Sequence, residues 1–245
     1  MGMNMKRLLV ILIAGAVLIT AAYAFRGHLP GAIRIAAGAG KATVASRLEQ
    51  YGPAARKRWQ PHFAKAGLSY PPAELALLGI KDQDLLQVCA RAAGQPWRLV
   101  RTYPVLAASG GPGPKLREGD SQVPEGIYGI ESLNPNSRFH LSLRVNYPNA
   151  FDREQAAKDR RTQLGGDIMI HGSAVSIGCL AMGDEAAEDL FVLAADTGLQ
   201  KITVLLAPVD FRAGKAAPAN PQAPAWVPGL YQRIRERLQE FPKSP

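Results

Sequence analysis

The chain has 245 residues, 47% of them apolar, so it can bury a full core and hold one large or two small domains. Its formal charge is +9, and without Lys6 and Arg7 the balance is still 27 basic against 20 acidic side chains. That excess suits anionic partners such as carboxylate-rich peptides or an acidic membrane surface. The basic residues are scattered, with no aromatic-interleaved block, so nothing points to nucleic acid. Two cysteines, Cys89 and Cys179, make a poor disulfide framework and are too few for a closed thiolate zinc site. No metal site and no cofactor are expected.

In chain order, Lys6 and Arg7 precede an almost unbroken apolar run, Leu8 to Ala22. Ala22-Tyr23-Ala24 then offers the small-x-small pattern of a cleavage site. Residues 1–25 are therefore expected to be a signal peptide or a membrane anchor, with everything after them outside the cytoplasm. If uncleaved, the segment would hold the chain to the inner membrane. Residues 26–80 form a lead-in expected to be helical, broken into short pieces by Pro53, Pro61, Pro71 and Pro72.

From Asp84 the texture changes. Leu85–Ala92 and Trp97–Tyr103 read as strands joined by a turn at Ala93-Gly94-Gln95. A long Gly/Pro loop, Ser109–Pro124, leads to strands at Gly126–Ile130 and Phe139–Val145. In the second of these, Phe139, Leu141, Leu143 and Val145 alternate onto one face. Asp152 with Gln155 three residues on predicts the N-cap of a helix running to Leu164, ended by Gly165-Gly166. Ile168–His171 is a short strand, Asp184–Thr197 a helix with Asp184 as N-cap, and Ile202–Leu206 another strand. Residues 213–228 are an Ala/Pro-rich linker. In residues 229–245, Leu230, Ile234, Leu238 and Phe241 recur at the spacing of an amphipathic helix packed on the main domain. The fold class is α+β, mainly β: a sandwich or half-open barrel decorated by helices, its main domain at 81–212.

The densest chemistry lies between Asp167 and Leu180. His171 ends an apolar strand, and Cys179 follows eight residues later in a glycine-containing loop before a helix. A thiol is mostly protonated at neutral pH, and a nearby imidazole or helix N-terminus can activate it. Gly178 removes bulk beside the sulfur and lets the N–H groups of Ile177, Gly178 and Cys179 turn towards an oxyanion. From the residues alone, a lone cysteine is more often an apolar filler than a nucleophile, and filler is the expectation for Cys89 in its strand.

His171-Gly172 followed by Ser176-Ile177-Gly178-Cys179 resembles the catalytic motif of the L,D-transpeptidase (YkuD-like) family, most closely its YafK-type branch. The segments Gly113-Pro114-Lys115, Glu118-Gly119-Asp120, Pro124-Glu125-Gly126-Ile127-Tyr128 and Tyr147-Pro148-Asn149 occur in the matching order. The resemblance covers roughly residues 75–212 and implies a YkuD-like sandwich or half-open barrel. It implies a cell-envelope enzyme acting on peptidoglycan stem peptides, with Cys179 as nucleophile, His171 as base and a thioester intermediate. The donor carbonyl would belong to the L-centre of a diamino acid. A second reading is an amidase that frees a Braun-type lipoprotein from the wall, and a third is a non-catalytic wall-binding module.

Three departures mark this chain. Ile177 stands where the family usually has histidine, Ala181 where arginine is common, and the spacer between the motif's halves is short. Only His171 is left as base. Ser176, Gly172, Ser173 and His140 are candidate orienting or cleft residues, and Lys115 and Arg117 candidate partners for stem carboxylates. The implied location is the periplasm.

Overall fold

The structure, a computed structural model, describes residues 41–243. The expected export segment at 1–25 lies outside the described residues. Helix α1 spans Val44–Lys65, followed by strands β1 (Glu74–Ile80), β2 (Leu85–Arg91), β3 (Arg98–Pro104), β4 (Ala107–Ala108), β5 (Gly126–Ser137) and β6 (His140–Val145). Then come helix α2 (Ala150–Lys158), strands β7 (Met169–His171) and β8 (Leu180–Ala181), helix α3 (Asp184–Thr197), strand β9 (Ile202–Ala207) and helix α4 (Val227–Leu238). The strands form one mixed sheet in the order β3-β2-β1-β9-β5-β6-β7-β8-β4. The class is α+β and mainly β, as the alternating strand pattern indicated.

Residues 41–80 differ from the helical pieces expected of them. Helix α1 is a single 22-residue helix containing Pro53 and Pro61. Both prolines are exposed, while Gly52, Ala55, Trp59 and Phe63 are buried at helical spacing. The carbonyls that the prolines leave unpaired therefore face water, which satisfies them, and the apolar stripe on the other side holds the helix to the core. Thr43 caps it through a reciprocal pair with Ser46.

The segment 74–80 is a strand. Leu75 and Leu77 enter the core on one side of the sheet, and Ala76, Leu78 and Ile80 the core on the other. A strand covered on both faces shows an unbroken apolar run instead of alternation, which is why the sequence pattern did not mark it. It pairs with β9 in parallel, Leu75 opposite Ile202 through Ile80 opposite Ala207.

One side of the sheet packs on α1 and α3, through Trp59, Phe63, Leu190, Phe191 and Leu193. The other packs on α4 through Val227, Leu230, Tyr231, Ile234 and Leu238. Helix α2 is capped by Asn149, not Asp152: the Asn149 side chain accepts from the Asp152 N–H and Asp152 Oδ2 accepts from the Asn149 N–H. It stops at Lys158, because Arg160 takes a left-handed backbone, φ +57°. Gly165 instead meets the loop at Glu118, where a Cβ would lie 3.1 Å from the Glu118 Cα.

Candidate active site

Strands β6, β7 and β8 build the site's floor. Ser142 pairs with His171 and Arg144 with Met169. Across the parallel neighbour, Ile170 pairs with Leu180 and His171 with Ala181. Continuing that register back by one residue sets Cys179 beside Met169. Register partners share a face, as do residues two apart along a strand. Arg144, Met169, His171 and Cys179 therefore occupy one face of the sheet. The opposite face carries Leu141, Leu143, Val145, Ile170 and Leu180, all in the core.

His171 is 2% exposed, and its Nδ1 lies 2.6 Å from the Gly172 carbonyl oxygen. A carbonyl can only accept, so Nδ1 carries the hydrogen and Nε2 keeps its lone pair. Burial pushes the imidazole pKa below its ordinary value, against the opposing effect of the Gly172 bond. Phe139 stacks on the ring, centroids 4.8 Å apart. The alternation had put Phe139 on the core face with Leu141. The strand instead begins at His140, whose left-handed backbone (φ +71°) breaks the alternation.

Cys179 sits at the end of the loop that crosses from β7 to β8. Ser176 Oγ accepts from the Cys179 N–H at 3.1 Å and donates to the Cys179 carbonyl at 2.6 Å. The Gly178 N–H donates to Ser109 Oγ, which in turn donates to the Ser121 carbonyl. Gly178 has φ +96°, and a Cβ there would lie 3.4 Å from the Gln122 carbonyl oxygen, so the Gly/Pro loop presses against the cysteine turn. Two of the three N–H groups expected to face an oxyanion are thus held by serine hydroxyls at rest.

The Cys179 sulfur lies 3.5 Å from the Asp167 carbonyl oxygen, and no hydrogen bond joins it to His171 among the described residues. Burial raises the thiol pKa; the Asp167 carboxylate adds to this, while the Met169 N–H opposes it. The resting site is accordingly a neutral imidazole at the end of β7 and a neutral thiol on the loop just before β8. This differs from the pre-formed thiolate that an imidazole or helix terminus can generate. Strand β8 separates Cys179 from α3, whose first turn begins only at Asp184.

The remaining candidates divide. Ile177 is 84% exposed, so its side chain faces solvent, while Ala181 is fully buried in β8. Gly172 is required by close approach: a Cβ would lie 2.5 Å from Asp184 Oδ1 and 2.8 Å from the Phe139 carbonyl oxygen. Ser173 contributes its N–H, which donates to Asp184 Oδ1. Asp184 is the first helical residue, and Gly183 holds the cap position in its place. His140 Nε2 meets Glu188 Oε1 at 3.1 Å, and its ring edges against Tyr51, so it supports α1 and α3. Lys115 is buried on Asp120 and the Arg117 carbonyl, which makes it a loop brace. Cys89 is fully buried, its thiol pushed up to about 12 by burial. Among the described residues no cluster of His, Cys, Asp and Glu could hold a metal. Sequence reasoning missed Ser109, Asp167 and Arg144. Arg144 could have been found, since alternation against Leu143 and Val145 already put it on the outer face.

The description L,D-transpeptidase catalytic domain (YkuD) matches residues 80–204, half of the chain. The chain belongs to the YkuD family of L,D-transpeptidase catalytic domains. Its assignment is YafK-type: it is 38% identical over 100 residues to YafK of Escherichia coli (strain K12). That match covers 40% of this chain and 38% of YafK, and the same values hold for YafK of Escherichia coli O157:H7. Among solved structures, this YkuD-family chain aligns with the helical cell shape determining protein Pgp2 from Campylobacter jejuni. The identity is 23%, over 60% of this chain and 50% of that one, with TM-score 0.46. It also aligns with L,D-transpeptidase 1 of Mycobacterium tuberculosis, at 17% identity over 54% of this chain and 61% of that one, TM-score 0.31.

Proposed function

We propose that the chain is a periplasmic cysteine acyltransferase acting on peptidoglycan stem peptides, with Cys179 as nucleophile and His171 as general base. The observation that carries this reading is the lone pair left on His171 Nε2, on the sheet face that also bears Cys179. His171 Nε2 takes the thiol proton as Cys179 Sγ bonds to the donor amide carbon. The carbonyl oxygen becomes an oxyanion, and the Gly178 and Cys179 N–H groups receive it once they turn from Ser109 and Ser176. Collapse breaks the C–N bond, the amine leaves with the proton from His171, and a thioester remains. An incoming amine or water then gives its proton to His171 and bonds to the thioester carbon; the C–S bond breaks, and His171 returns the proton to the Cys179 thiolate.

The amine route makes a cross-link or attaches a protein to the wall; the water route makes a hydrolase, such as an amidase freeing a wall-linked lipoprotein. The short β7–β8 loop favours water or a bulky leaving group, because its Ile177 side chain stands in solvent. The rival of another class is a non-catalytic wall-binding module. Incubating the protein with purified sacculi tests all three. A mass increase on Cys179 corresponding to a thioester-bound stem, absent in Cys179→Ala and present in Cys89→Ala, is the expected result. Fragment release without any Cys179 adduct, or full activity in Cys179→Ala, overturns the assignment. Joined fragments identify ligation and released ones hydrolysis.

A further inference from the structure

The Gly/Pro loop that presses on the cysteine turn is held from below by a buried charge that the mechanism does not use. Lys81, the first residue after β1, reaches under this loop. Its Nζ donates to the Gly113 carbonyl at 3.1 Å, to the Val123 carbonyl at 3.1 Å and to Glu125 Oε1 at 2.9 Å. An ammonium has three donors, and here each has an acceptor. The lysine side chain is 13% exposed and its carboxylate partner is fully buried. Glu125 Oε1 also accepts from the Gly113 N–H at 2.8 Å, so the pair grips Gly113 through both its N–H and its carbonyl.

Two short routes lead from that ammonium to the turn beside the sulfur. Gln122 Nε2 donates to the Gly113 carbonyl at 2.6 Å, sharing the oxygen that Lys81 holds, and the Gln122 backbone carbonyl faces Gly178. Val123, whose carbonyl Lys81 also holds, donates its N–H to the Ser109 carbonyl at 3.4 Å. Ser109 Oγ is the acceptor of the Gly178 N–H. A buried ion pair adds little net stability over apolar side chains of the same volume. What three fixed donors supply is a single position for the two ends of the loop.

We infer that Lys81, with Glu125, is a positioning residue for acyl transfer: by pinning Gly113 and Val123 it sets the loop that backs Gly178, and so fixes the N–H groups that receive the oxyanion. Lys81 touches neither the sulfur nor the substrate. Its role in turnover rests on the cysteine acyl-transfer reading above, but the geometry it controls can be read on the thiol with no substrate present. Loss of the pin lets the loop withdraw and opens the turn to water. Burial is the largest cause of the raised Cys179 thiol, so a looser wall lowers its pKa, outweighing the lost attraction of Lys115 on the same loop.

The test is iodoacetamide labelling of Cys179 against pH. Lys81→Met combined with Glu125→Gln removes both charges together, which avoids an unpaired buried carboxylate, and the amide keeps an acceptor for the Gly113 N–H. Labelling at pH 7 should become roughly tenfold faster, with the profile moved down. Gln122→Ala leaves the buried pair and the fold intact, cuts the bridge at Gly113, and should act in the same direction. Combining the two should give no more than the larger effect alone, since the bridge lies downstream of the pair. Asp196→Asn, which loosens α1 without reaching the loop, should leave the profile in place and so separates positioning from general destabilisation. On sacculi, formation of the Cys179 thioester should slow about 100-fold in the charge-pair variant, the cost of a misplacement of about 1 Å. An unchanged or upward-shifted profile in the charge-pair variant or in Gln122→Ala, full additivity between them, or a thioester formed at the wild-type rate overturns the positioning role. The parent reading fails separately, when the wild-type protein forms no Cys179 thioester on sacculi.

Discussion

Burial lowers the affinity of His171 for a proton, so its imidazole stays neutral into mildly acidic solution. Turnover that needs the Nε2 lone pair should hold as pH falls past the ordinary imidazole value and decline only below it; an acid limb above about 6.5 would contradict this. His171→Gln keeps a side-chain hydrogen bond but accepts no proton, and turnover should drop roughly 100-fold or more. Ile177→His should change the rate far less, since that side chain points into solvent. At the thiol the sign is opposite. The raised pKa of Cys179 predicts iodoacetamide labelling slower at neutral pH than for a free cysteine, with its profile displaced upward. Asp167→Asn removes a carboxylate that raises the thiol, so its labelling profile should move down. The proposed pair was read from the resemblance of His171-Gly172 and Ser176-Ile177-Gly178-Cys179 to the family motif, since their spacing alone does not single out a nucleophile and its base. The protonation state was not, because it depends on burial and on charges such as Asp167 that the fold brings in. Of the serine acceptors on the two N–H groups, Ser176 was already an orienting candidate in the sequence, while Ser109 was hidden because it is remote in sequence from Gly178.

Among the elements, the β7–β8 crossing tolerates little added bulk. Gly172→Ala forces a Cβ against Asp184 Oδ1 and the Phe139 backbone, an overpacking that typically costs about 1–3 kcal/mol. Thermal denaturation should register that loss, and turnover should fall with it because His171 precedes and Ser173 follows. Helix α1 docks on α3 through Asp196, which accepts from Arg56 at 2.7 Å and from the Tyr70 hydroxyl at 2.7 Å. Burial alone would raise the Asp196 pKa, and the Arg56 and Tyr70 bonds outweigh it, leaving a net lowering. A lowered carboxylate stabilises the fold above its unfolded pKa and loses that contribution as pH falls through the folded value. Asp196→Asn should therefore reduce the melting temperature at pH 7, and the gap from wild type should narrow as pH approaches 3; a gap that widens would reverse the assignment. Helix α3 was readable to its end residues because polar starts and a glycine stop bracket an apolar run. Strand β1 and the unbroken helix α1 were not. Double-sided burial erased the alternation of one, and prolines on the exposed face of the other looked like breaks.

For the whole molecule, helix α4 closes the second core, and its Tyr231 hydroxyl reaches the buried Glu125 at 2.8 Å. Each large apolar side chain it buries contributes about 1.5–3 kcal/mol. Val227, Leu230, Tyr231, Ile234, Leu238 and Phe241 together then rival the total stability of an ordinary domain, about 5–15 kcal/mol. Removing residues 225–245 should yield a chain without a cooperative melting transition, and a retained sharp transition would show the helix to be dispensable. The pairing of β1 with β9 has a temporal meaning as well. That ladder joins Leu75–Ile80 to Ile202–Ala207 at the centre of the sheet. A contact between segments so distant in the chain is slow to form and comes after most of the polypeptide exists. During synthesis the emerging chain thus lacks the strand that completes its middle until Ile202–Ala207 is made.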